Sequence, residues 1–365
     1  MMEKATGFPY PRSVFAGSNT ADGFVSQFDS LLRGCLRVYI LKGSPGSGKS
    51  TLLRAVAARA RAEGEPYTEI ICSADTNSLD GVILHGRRTA VIDGTAPHAA
   101  EAVYPGARER ILNLGDCLDT HALFEKREEI ITLVSKKSRR YKNAYALLNA
   151  ANTLRGAAIA NLSDALLAGK LQAFAARFCR RLPKDGAPFE LLWPRYARTA
   201  DGEVELDVFD PVERYSIIDA FGEGFLLTEA LAQQARAESV SFVVTPDALN
   251  ARKIRSLYFP AAGVLVTVGE GEGKRINMKR FIDPEKERET RRLNRLFRKG
   301  SRLLLDDAAW TPEALPASAA AFSDLLGLFR GQTARLRECL RALEPSGLVN
   351  AAVFPALDRL ESALN

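Results

Sequence analysis

The chain has few of the residues that build disulfide frameworks or metal clusters. Its 365 residues include three histidines and five cysteines, which are Cys35, Cys72, Cys117, Cys179 and Cys339. The number of cysteines is odd and no two of them form a C-x-x-C pair, so we expect reduced thiols that lie mostly in the core. Because paired Cys or His spacing is missing as well, the sequence predicts no structural zinc site.

Long apolar segments are also missing. No run approaches the roughly 18 residues that a membrane-spanning helix requires, and the first residues, MMEKATGFPYPRS, lack the apolar centre of a signal peptide. Hydrophobic residues make up 46% of the chain, which is typical of a globular protein. We therefore expect a cytoplasmic protein without a membrane partner, and its length suits two domains of ordinary size.

The basic excess is confined to one segment. The whole chain has a net charge of +6, whereas the segment Lys274–Arg302 alone holds 12 basic and 4 acidic residues. Such a segment favours either an interface for nucleic acid or a protein partner, or a solvated helix face with ion pairs such as Glu287–Arg291. No ladder of aromatic residues for base stacking accompanies it.

One short motif is specific enough to predict chemistry. The stretch GSPGSGKS, Gly43–Ser50, matches the pattern G-x-x-x-x-G-K-[ST] at every fixed position. The apolar run LRVYILK before it is typical of a buried strand, and residues 50–63 after it have apolar side chains at helical spacing up to Gly64. This order predicts a site for nucleotide phosphates; the alternative is a plain strand-to-helix turn with an exposed lysine.

Each residue of this loop has an expected role. Backbone N–H groups of the loop and of the helix N-terminus point at phosphate oxygens, Lys49 reaches the β- and γ-phosphates, and the Ser50 hydroxyl binds Mg²⁺. Thr51 is placed to touch the α-phosphate. The predicted nucleotide-binding residues are therefore Gly43, Ser44, Pro45, Gly46, Ser47, Gly48, Lys49, Ser50 and Thr51.

A second motif, TAVIDGTAPH, supplies the acid that such a site needs. Residues Thr89–Ile92 predict a buried strand, and Asp93 stands at its C-terminal end, where ligands of α/β sheets collect. We expect Asp93 to hold Mg²⁺ together with Ser50; the alternative is that it only starts a turn with Gly94. Many ATPases have a glutamate base at the position of Gly94, so His98 becomes the candidate that orients the attacking water, although a lone histidine in a loop is commonly a bystander.

The chain also contains an internal repeat. TADGFV at residues 20–25 returns as TADGEV at 199–204, and RVYILKG at 37–43 resembles RYSIIDA at 214–220. The tetrapeptide ARAE occurs twice, and further matches follow in the same order along both halves. Matches that keep one order predict a duplicated domain.

The alignment of the two copies separates chemistry from scaffold. Counted from the shared ARAE, the equivalent pairs are Lys49 and Gly224, Ser50 and Phe225, and Asp93 and Val268. The second copy therefore lacks the predicted phosphate and Mg²⁺ ligands. Acids and amides that recur in both copies are interpreted as turn or capping residues, and these pairs are Asp75 and Asp247, Asn113 and Asn277, and Asp119 and Asp283.

These observations predict an α/β protein that contains a duplicated P-loop NTPase domain with three α/β/α layers around a parallel sheet. The predicted domains are 1–182, a linker at 183–194, and 195–365 with the basic helix and a C-terminal helical bundle. The first domain includes a helical extension over about 120–182, which Gly156 and Gly169 divide and which forms a hairpin beside the P-loop core.

Together the motifs resemble a family of uncharacterised bacterial P-loop ATPases built from two tandem repeats. The resemblance spans essentially the whole chain and is carried by GSPGSGKST, SLDGVI (Ser78–Ile83), IDGTAPH (Ile92–His98), YPGA (Tyr104–Ala107) and NLGD (Asn113–Asp116). It implies ATP binding and hydrolysis. In that family the second repeat often has its own P-loop, and this chain departs from the pattern.

The leading hypothesis is a cytosolic NTPase with ATP and Mg²⁺ as cofactors, in which the first repeat hydrolyses ATP and the second covers the site or binds a partner. ATP is the expected nucleotide because the sequence has no N-K-x-D guanine motif. One alternative is a kinase that transfers the γ-phosphate to a small molecule or nucleotide. The other is a nucleotide-gated binding protein that acts on nucleic acid or a protein partner through Lys274–Arg302.

Overall fold

The computed structural model describes residues 10–44, 46–96, 100–199 and 202–307, with side chains as far as Leu305. This part of the chain forms two compact units. The first unit consists of residues 32–142, and the second unit consists of residues 10–31 together with 143–307. The division differs from the predicted domains, because the N-terminal residues group with the second repeat.

Secondary-structure elements follow one another in the same order in both repeats. Residues 10–31 hold β1 (Ser13–Phe15), β2 (Gly17–Thr20), β3 (Gly23–Ser26) and α1 (Phe28–Leu31). The first unit, which begins at residue 32, contains β4 (Arg37–Lys42), α2 (Lys49–Glu63), β5 (Tyr67–Ile71), β6 (Leu79–Leu84), β7 (Thr89–Asp93), β8 (Glu109–Asn113), α3 (Thr120–Glu125) and the first half of α4 (Arg127–Ala160). The second unit then contains α5 (Ala168–Cys179), β9 (Glu190–Leu192), β10 (Tyr196–Thr199), β11 (Gly202–Glu205), β12 (Glu213–Ile218), α6 (Gly224–Ala237), β13 (Phe242–Pro246), β14 (Ile254–Phe259), β15 (Val264–Val268), β16 (Lys274–Asn277) and α7 (Pro284–Asp307).

The first unit is built on a mixed sheet. Its own five strands lie in the order β5-β6-β7-β4-β8, and β6 runs against the other four. The sequence predicts a parallel sheet, and this prediction is wrong for β6. Only residues 85–88 join β6 to β7, and so short a connection reverses the chain, whereas parallel neighbours require a crossover of about a dozen residues or more.

The core of the first unit lies between this sheet and α2. Leu53, Val56 and Ala60 recur at helical spacing and are buried against apolar residues of the strands. Burial of a leucine-sized side chain contributes about 1.5–3 kcal/mol. The helix ends at Gly64, whose φ of 68° and backbone hydrogen bonds form the C-cap. The strand, loop and helix predicted around the glycine-rich motif are therefore confirmed as local structure.

The second unit contains a sheet of the same design. Its strands lie in the order β9-β13-β14-β15-β12-β16, and β14 runs against the others. The spatial order β13-β14-β15-β12-β16 matches the order β5-β6-β7-β4-β8 of the first unit, strand by strand. This match is compatible with the predicted duplication of an α/β domain. Part of the predicted linker 183–194 belongs to this sheet, because β9 pairs in parallel with β13.

The helical segment after residue 120 differs from its prediction. Helix α4 runs unbroken through Gly156 for 34 residues. The break lies at 161–167, before Gly169, which belongs to the first turn of α5. Helix α5 belongs to the second unit: its apolar face is buried against α6, where the Cys179 thiol donates to the Leu231 carbonyl (3.4 Å). The predicted C-terminal bundle lies outside the described residues.

Two short hairpins that share the sequence TADG place the N-terminal residues in the second unit. Strand β2 pairs with β3, β10 pairs with β11, and β2 contacts β10. The Asn19 amide donates to the Arg198 carbonyl (2.9 Å), and the Ser18 hydroxyl donates to the Ala248 carbonyl (2.9 Å). The repeated hairpins thus contact each other within one unit. None of the helices described above is long and apolar enough to cross a membrane.

Burial of His85 makes the stability of the first unit depend on pH. Its Nε2 atom lies 2.8 Å from the Thr68 hydroxyl, and burial lowers the pKa of His85 from 6.5 to about 4. Because its pKa is lower in the folded than in the unfolded chain, His85 affects the free energy of unfolding only at acidic pH. Above pH 6.5 the folded chain keeps its full stability with respect to this residue. As the pH falls towards 4, the unfolded chain takes up a proton on His85 that the folded chain does not, and stability is lost. In urea denaturation at these pH values, we expect His85→Gln to lose less stability than wild type; equal losses would contradict this assignment.

Candidate functional site

The loop between β4 and α2 curls in front of the helix. Gly46 and Gly48 have φ angles of 83° and 86°, which residues with a side chain rarely adopt, and Gly48 directly precedes α2. The first four N–H groups of a helix have no acceptor within the helix, and its N-terminus carries partial positive charge. Loop and helix therefore form a concave surface whose chemistry fits the oxygens of a phosphate.

Lys49, the first residue of α2, folds its side chain back over the loop. It is 8% exposed, and its Nζ donates to the carbonyl oxygens of Gly43 (2.8 Å) and Ser44 (2.9 Å). The Asp93 Oδ2 atom lies 3.7 Å from Nζ. Burial lowers the pKa of Lys49, and the charges of Asp93 and Asp80 act against this shift. The ammonium group thus lies among two carbonyl acceptors and the Asp93 carboxylate.

Asp93 and Ser50 each accept a backbone N–H from a neighbouring segment. Asp93 ends β7 beside β4, and its Oδ1 accepts the N–H of Thr95 (2.8 Å), whose hydroxyl donates to the Gly43 carbonyl (3.1 Å). The Ser50 hydroxyl oxygen accepts the N–H of Leu79 (3.1 Å). Thr95 therefore ties the end of β7 to the loop, a contact that the motifs do not indicate.

Gly94, which follows Asp93, has no room for a side chain. A Cβ atom at this position would lie 2.3 Å from Ile40 Cγ2 and 3.2 Å from the Ala100 carbonyl oxygen. On the same edge, Lys42 Nζ donates to the Gly94 carbonyl (2.9 Å) and to Glu101 Oε1 (2.6 Å). A glutamate at position 94, where many ATPases have one, is sterically excluded in this fold.

A second buried carboxylate acts on Lys49 through its charge. Asp80 is 4% exposed although it stands in β6 among apolar residues. The register between β5 and β6 shifts at this position, and such a bulge changes the direction of a side chain. Strand β6 pairs Gly81 with Ile92, so the next position along brings Asp80 beside Asp93. In the sequence, the signal for this residue is a charge inside the apolar stretch LDGVIL.

The other predicted residues are placed as follows. Thr51 is exposed on α2, and the Ser47 hydroxyl is buried with no hydrogen-bond partner among the described residues. Pro45 and His98 lie outside the described residues, so their roles stay predictions. The polar residues that motif reasoning missed at this edge of the sheet are Lys42, Asp80, Thr95 and Glu101.

Oxygen donors beside the loop fit Mg²⁺ carried by a nucleotide. This ion usually keeps several waters and binds one or two carboxylates together with phosphate oxygens, and the Ser50 hydroxyl and the Asp93 carboxylate are donors of that class. Among the described residues, no group of three or more His, Cys, Asp or Glu side chains is arranged to hold a metal ion. The donor set therefore suits a cation that the phosphates themselves help to hold.

The equivalent loop of the second unit is filled by the chain's own carboxylates. Glu223, which is 2% exposed, accepts the N–H groups of Ala220 (3.0 Å) and Phe221 (2.8 Å). Asp219 accepts the N–H of Gly224, the first residue of α6 (2.9 Å). Burial raises the pKa of Glu223, and the charge of Asp219 raises it further. Backbone donors of the kind that phosphate uses are thus already engaged in this loop.

The strand registers confirm one predicted equivalence. Strand β12 pairs Ile217 with Val268, just as β4 pairs Leu41 with Asp93. Val268 therefore takes the place of Asp93 in the second unit. An apolar side chain there removes the acid on which a metal site would depend.

Another predicted equivalence, between Asp75 and Asp247, is wrong. The loops after β5 and β13 both have seven residues, so their first residues, Cys72 and Asp247, correspond, and so do their fourth residues, Asp75 and Asn250. Asp75 and Asn250 each accept the N–H two positions on (3.0 and 3.1 Å). Asp75 is therefore a turn residue, as expected, although its counterpart is an asparagine.

The capping pairs agree with their predictions. Asn113 and Asn277 each accept the backbone N–H two residues on (3.0 Å). Asp119 and Asp283 each accept an N–H from the first turn of the helix that follows (3.0 Å). These four side chains satisfy helix N-termini in both units, so their recurrence reflects local structure.

Helix α7 presents most of the basic segment on an exposed face. The exposed cations that recur at intervals of three or four residues are Arg288, Arg292, Arg295, Lys299 and Arg302. The predicted ion pair Glu287–Arg291 is present (3.0 Å). The ion pair supports the interpretation of this segment as a solvated helix face. The row of exposed cations also leaves charge available for a partner, because only part of the charge is neutralised within the helix.

Comparisons with known proteins add no relative. The chain matches no model of a known protein family, and neither the curated proteins nor the solved structures contain a match.

Removal of the buried Glu223 side chain should destabilise the second unit. In Glu223→Ala, the buried N–H of Phe221 and the part-buried N–H of Ala220 lose their acceptor. The full cost of an unsatisfied buried donor, about 1–3 kcal/mol, applies to Phe221. We expect urea denaturation to show a free energy of unfolding lower by about that amount. The control is Glu190→Ala, which removes an exposed ion pair with Arg236 and should change stability by about 0–1 kcal/mol. Equal stabilities of the two variants would contradict the role of Glu223.

Proposed function

We propose that the first unit is a P-loop NTPase domain with the three-layer α/β/α design, which binds Mg-ATP and hydrolyses it. The observation that carries the proposal is the placement of Lys49 at the start of α2, within 3.7 Å of Asp93 and bonded to two carbonyls of a glycine-rich loop. A buried ammonium group, a helix N-terminus and a strand-end acid at one point form the set that triphosphate chemistry uses.

The loop residues bind the phosphates in this proposal. Backbone N–H groups of the segment 43–51 surround the β-phosphate, and Lys49 leaves its two carbonyl acceptors for the β- and γ-phosphate oxygens. This exchange is favourable because a phosphate carries full negative charge, whereas a carbonyl oxygen carries only a dipole. Thr51 is exposed at the first turn of α2, where it is accessible to the α-phosphate.

Ser50 and Asp93 would hold the Mg²⁺ ion that accompanies the nucleotide. When bound, the ion neutralises charge that develops on the phosphate oxygens during transfer. Asp93 is already oriented by the N–H of Thr95, and Ser50 by the N–H of Leu79. Each of the two side chains is thereby held by a backbone hydrogen bond.

The second unit serves as a pseudo-NTPase or interaction domain in this proposal. Its loop is occupied by Glu223 and Asp219, and a valine replaces the metal-binding acid. The exposed cations of α7 support a second candidate function, in which nucleotide state controls binding of nucleic acid through the segment Lys274–Arg302. The two functions are compatible, since hydrolysis in one unit can time an interaction in the other.

The central prediction concerns Lys49→Ala. Without the ammonium group, the affinity for Mg-ATP in calorimetry should fall at least tenfold, and phosphate release should fall to background. Arg59→Ala, at the far end of the same helix, removes an exposed pair with Glu63 and should leave both quantities unchanged. Mg-ATP binding that is unaffected by Lys49→Ala would refute the proposed function.

The second candidate function has its own test. Binding of a random-sequence DNA or RNA oligonucleotide is measured with ATP and with ADP over a range of salt concentrations. Replacement of Arg292, Arg295 and Lys299 by glutamine should reduce the slope of log affinity against log salt by about 2 to 3, if each cation neutralises one phosphate. Affinity that is identical with both nucleotides, or a slope that the triple variant leaves unchanged, would rule this candidate out.

A further inference from the structure

Hydrolysis of ATP needs a group that orients the attacking water and accepts its proton. A glutamate directly after the metal-binding acid is the common solution, but a side chain at Gly94 would collide with Ile40 at 2.3 Å. Another strand that reaches the same edge of the sheet can supply a carboxylate for that purpose. Strand β6 does so, because it runs antiparallel and begins where its neighbours end.

Asp80 is the carboxylate at the start of β6. The register that pairs Gly81 with Ile92 brings it beside Asp93, and the bulge against β5 falls at this residue. Its chain neighbour Leu79 donates an N–H to the Ser50 hydroxyl (3.1 Å). The strand therefore begins in contact with the first turn of α2, next to the loop that holds the phosphates in the proposed function.

The surroundings of Asp80 are those of a buried site. The residue is 4% exposed, and its charge acts on Lys49. Burial raises the pKa of the Cys72 thiol, and the charge of Asp80 raises it further. A carboxylate is expensive to bury, so its position away from bulk solvent, where its charge acts on Lys49, is a specific arrangement. Such an environment also strengthens the interaction of a carboxylate with a single water molecule.

The second unit provides an internal comparison. Its strand β14 has the same shift in register, between Thr245 and Pro246 of β13, and the residue at the bulge is Arg255. A Cβ atom at Gly269, which follows Val268, would lie 3.2 Å from Arg255 Nη2. One bulge thus presents a carboxylate in the unit with the phosphate loop, and a guanidinium in the unit without it. Arginine stays protonated and cannot accept a proton from water.

We propose that Asp80 is a catalytic residue that orients the attacking water and accepts its proton, an inference that rests on the proposed ATP hydrolysis. The water oxygen forms a bond to the γ-phosphorus, while the bond between that phosphorus and the β–γ bridging oxygen breaks. The electron pair of the broken bond stays on ADP. One proton of the water passes to the Asp80 carboxylate and then to solvent, which leaves inorganic phosphate.

The test uses the full chain with Asp80→Asn and, as a matched control, Asp75→Asn. Asp75 is an acid five positions earlier that bonds only within its own turn, to Asn77 N–H and to the Ser78 hydroxyl, in the contacts described here. For Asp80→Asn we expect phosphate release to fall by about 100-fold or more. The affinity for Mg²⁺ with a non-hydrolysable ATP analogue, measured by calorimetry, should stay within about threefold of wild type, as should both properties of Asp75→Asn.

Other results would overturn the role of Asp80. If Asp80→Asn lost affinity for the Mg²⁺–analogue complex, the residue would serve binding, either by neutralising Lys49 or by holding the metal. If it released phosphate at the wild-type rate, the water would be oriented elsewhere. Added formate should restore part of the turnover of Asp80→Ala, which a purely structural carboxylate would not allow. Wild-type protein that binds Mg-ATP without turnover would instead remove the hydrolysis on which this inference rests.

Discussion

A positive charge at the start of a helix is the constraint on which the first unit depends. Lys49 places its ammonium group where the backbone already carries partial positive charge, and it does so almost without contact with solvent. Such an arrangement needs nearby negative partners, and the loop carbonyls, Asp93 and Asp80 supply them. The glycines of the loop, the end of β7 and the bulge of β6 all contribute to bringing these partners together.

The second unit meets a related constraint with charges of the opposite sign. Helix α6 begins with Gly224, so no ammonium group is present at its first position, and carboxylates of Asp219 and Glu223 satisfy the backbone donors. Arg255 provides a cation on the strand where the first unit has Asp80. The same order of strands and helices therefore supports two charge patterns: one leaves acceptors around a lysine, and the other is complete without any ligand.

Local patterns in the sequence were sufficient for the elements that bear the motif. The strand, the loop, α2 with its Gly64 cap, and Asp93 at the end of β7 all follow from spacing and residue type. The way in which the strands pair in the sheet was harder to predict from the sequence. The antiparallel direction of β6 depends on a four-residue connection, and the position of Asp80 depends on a bulge, which a list of residue types does not encode. The pairing of Asp75 with Asp247 was wrong because identity of residue type outweighed loop length.

The contact between the two TADG hairpins has a consequence for the order in which the protein is made. Residues 10–31 precede the first unit in the chain, yet the Ala21 N–H donates to the carbonyl of Leu249, and the Ser18 hydroxyl donates to the carbonyl of Ala248. The first unit can be synthesised completely while these N-terminal strands still wait for more than a hundred further residues. These strands therefore stay without their partners until residues 248 and 249 have been synthesised, so the second unit can close only after the whole of the first unit has been made.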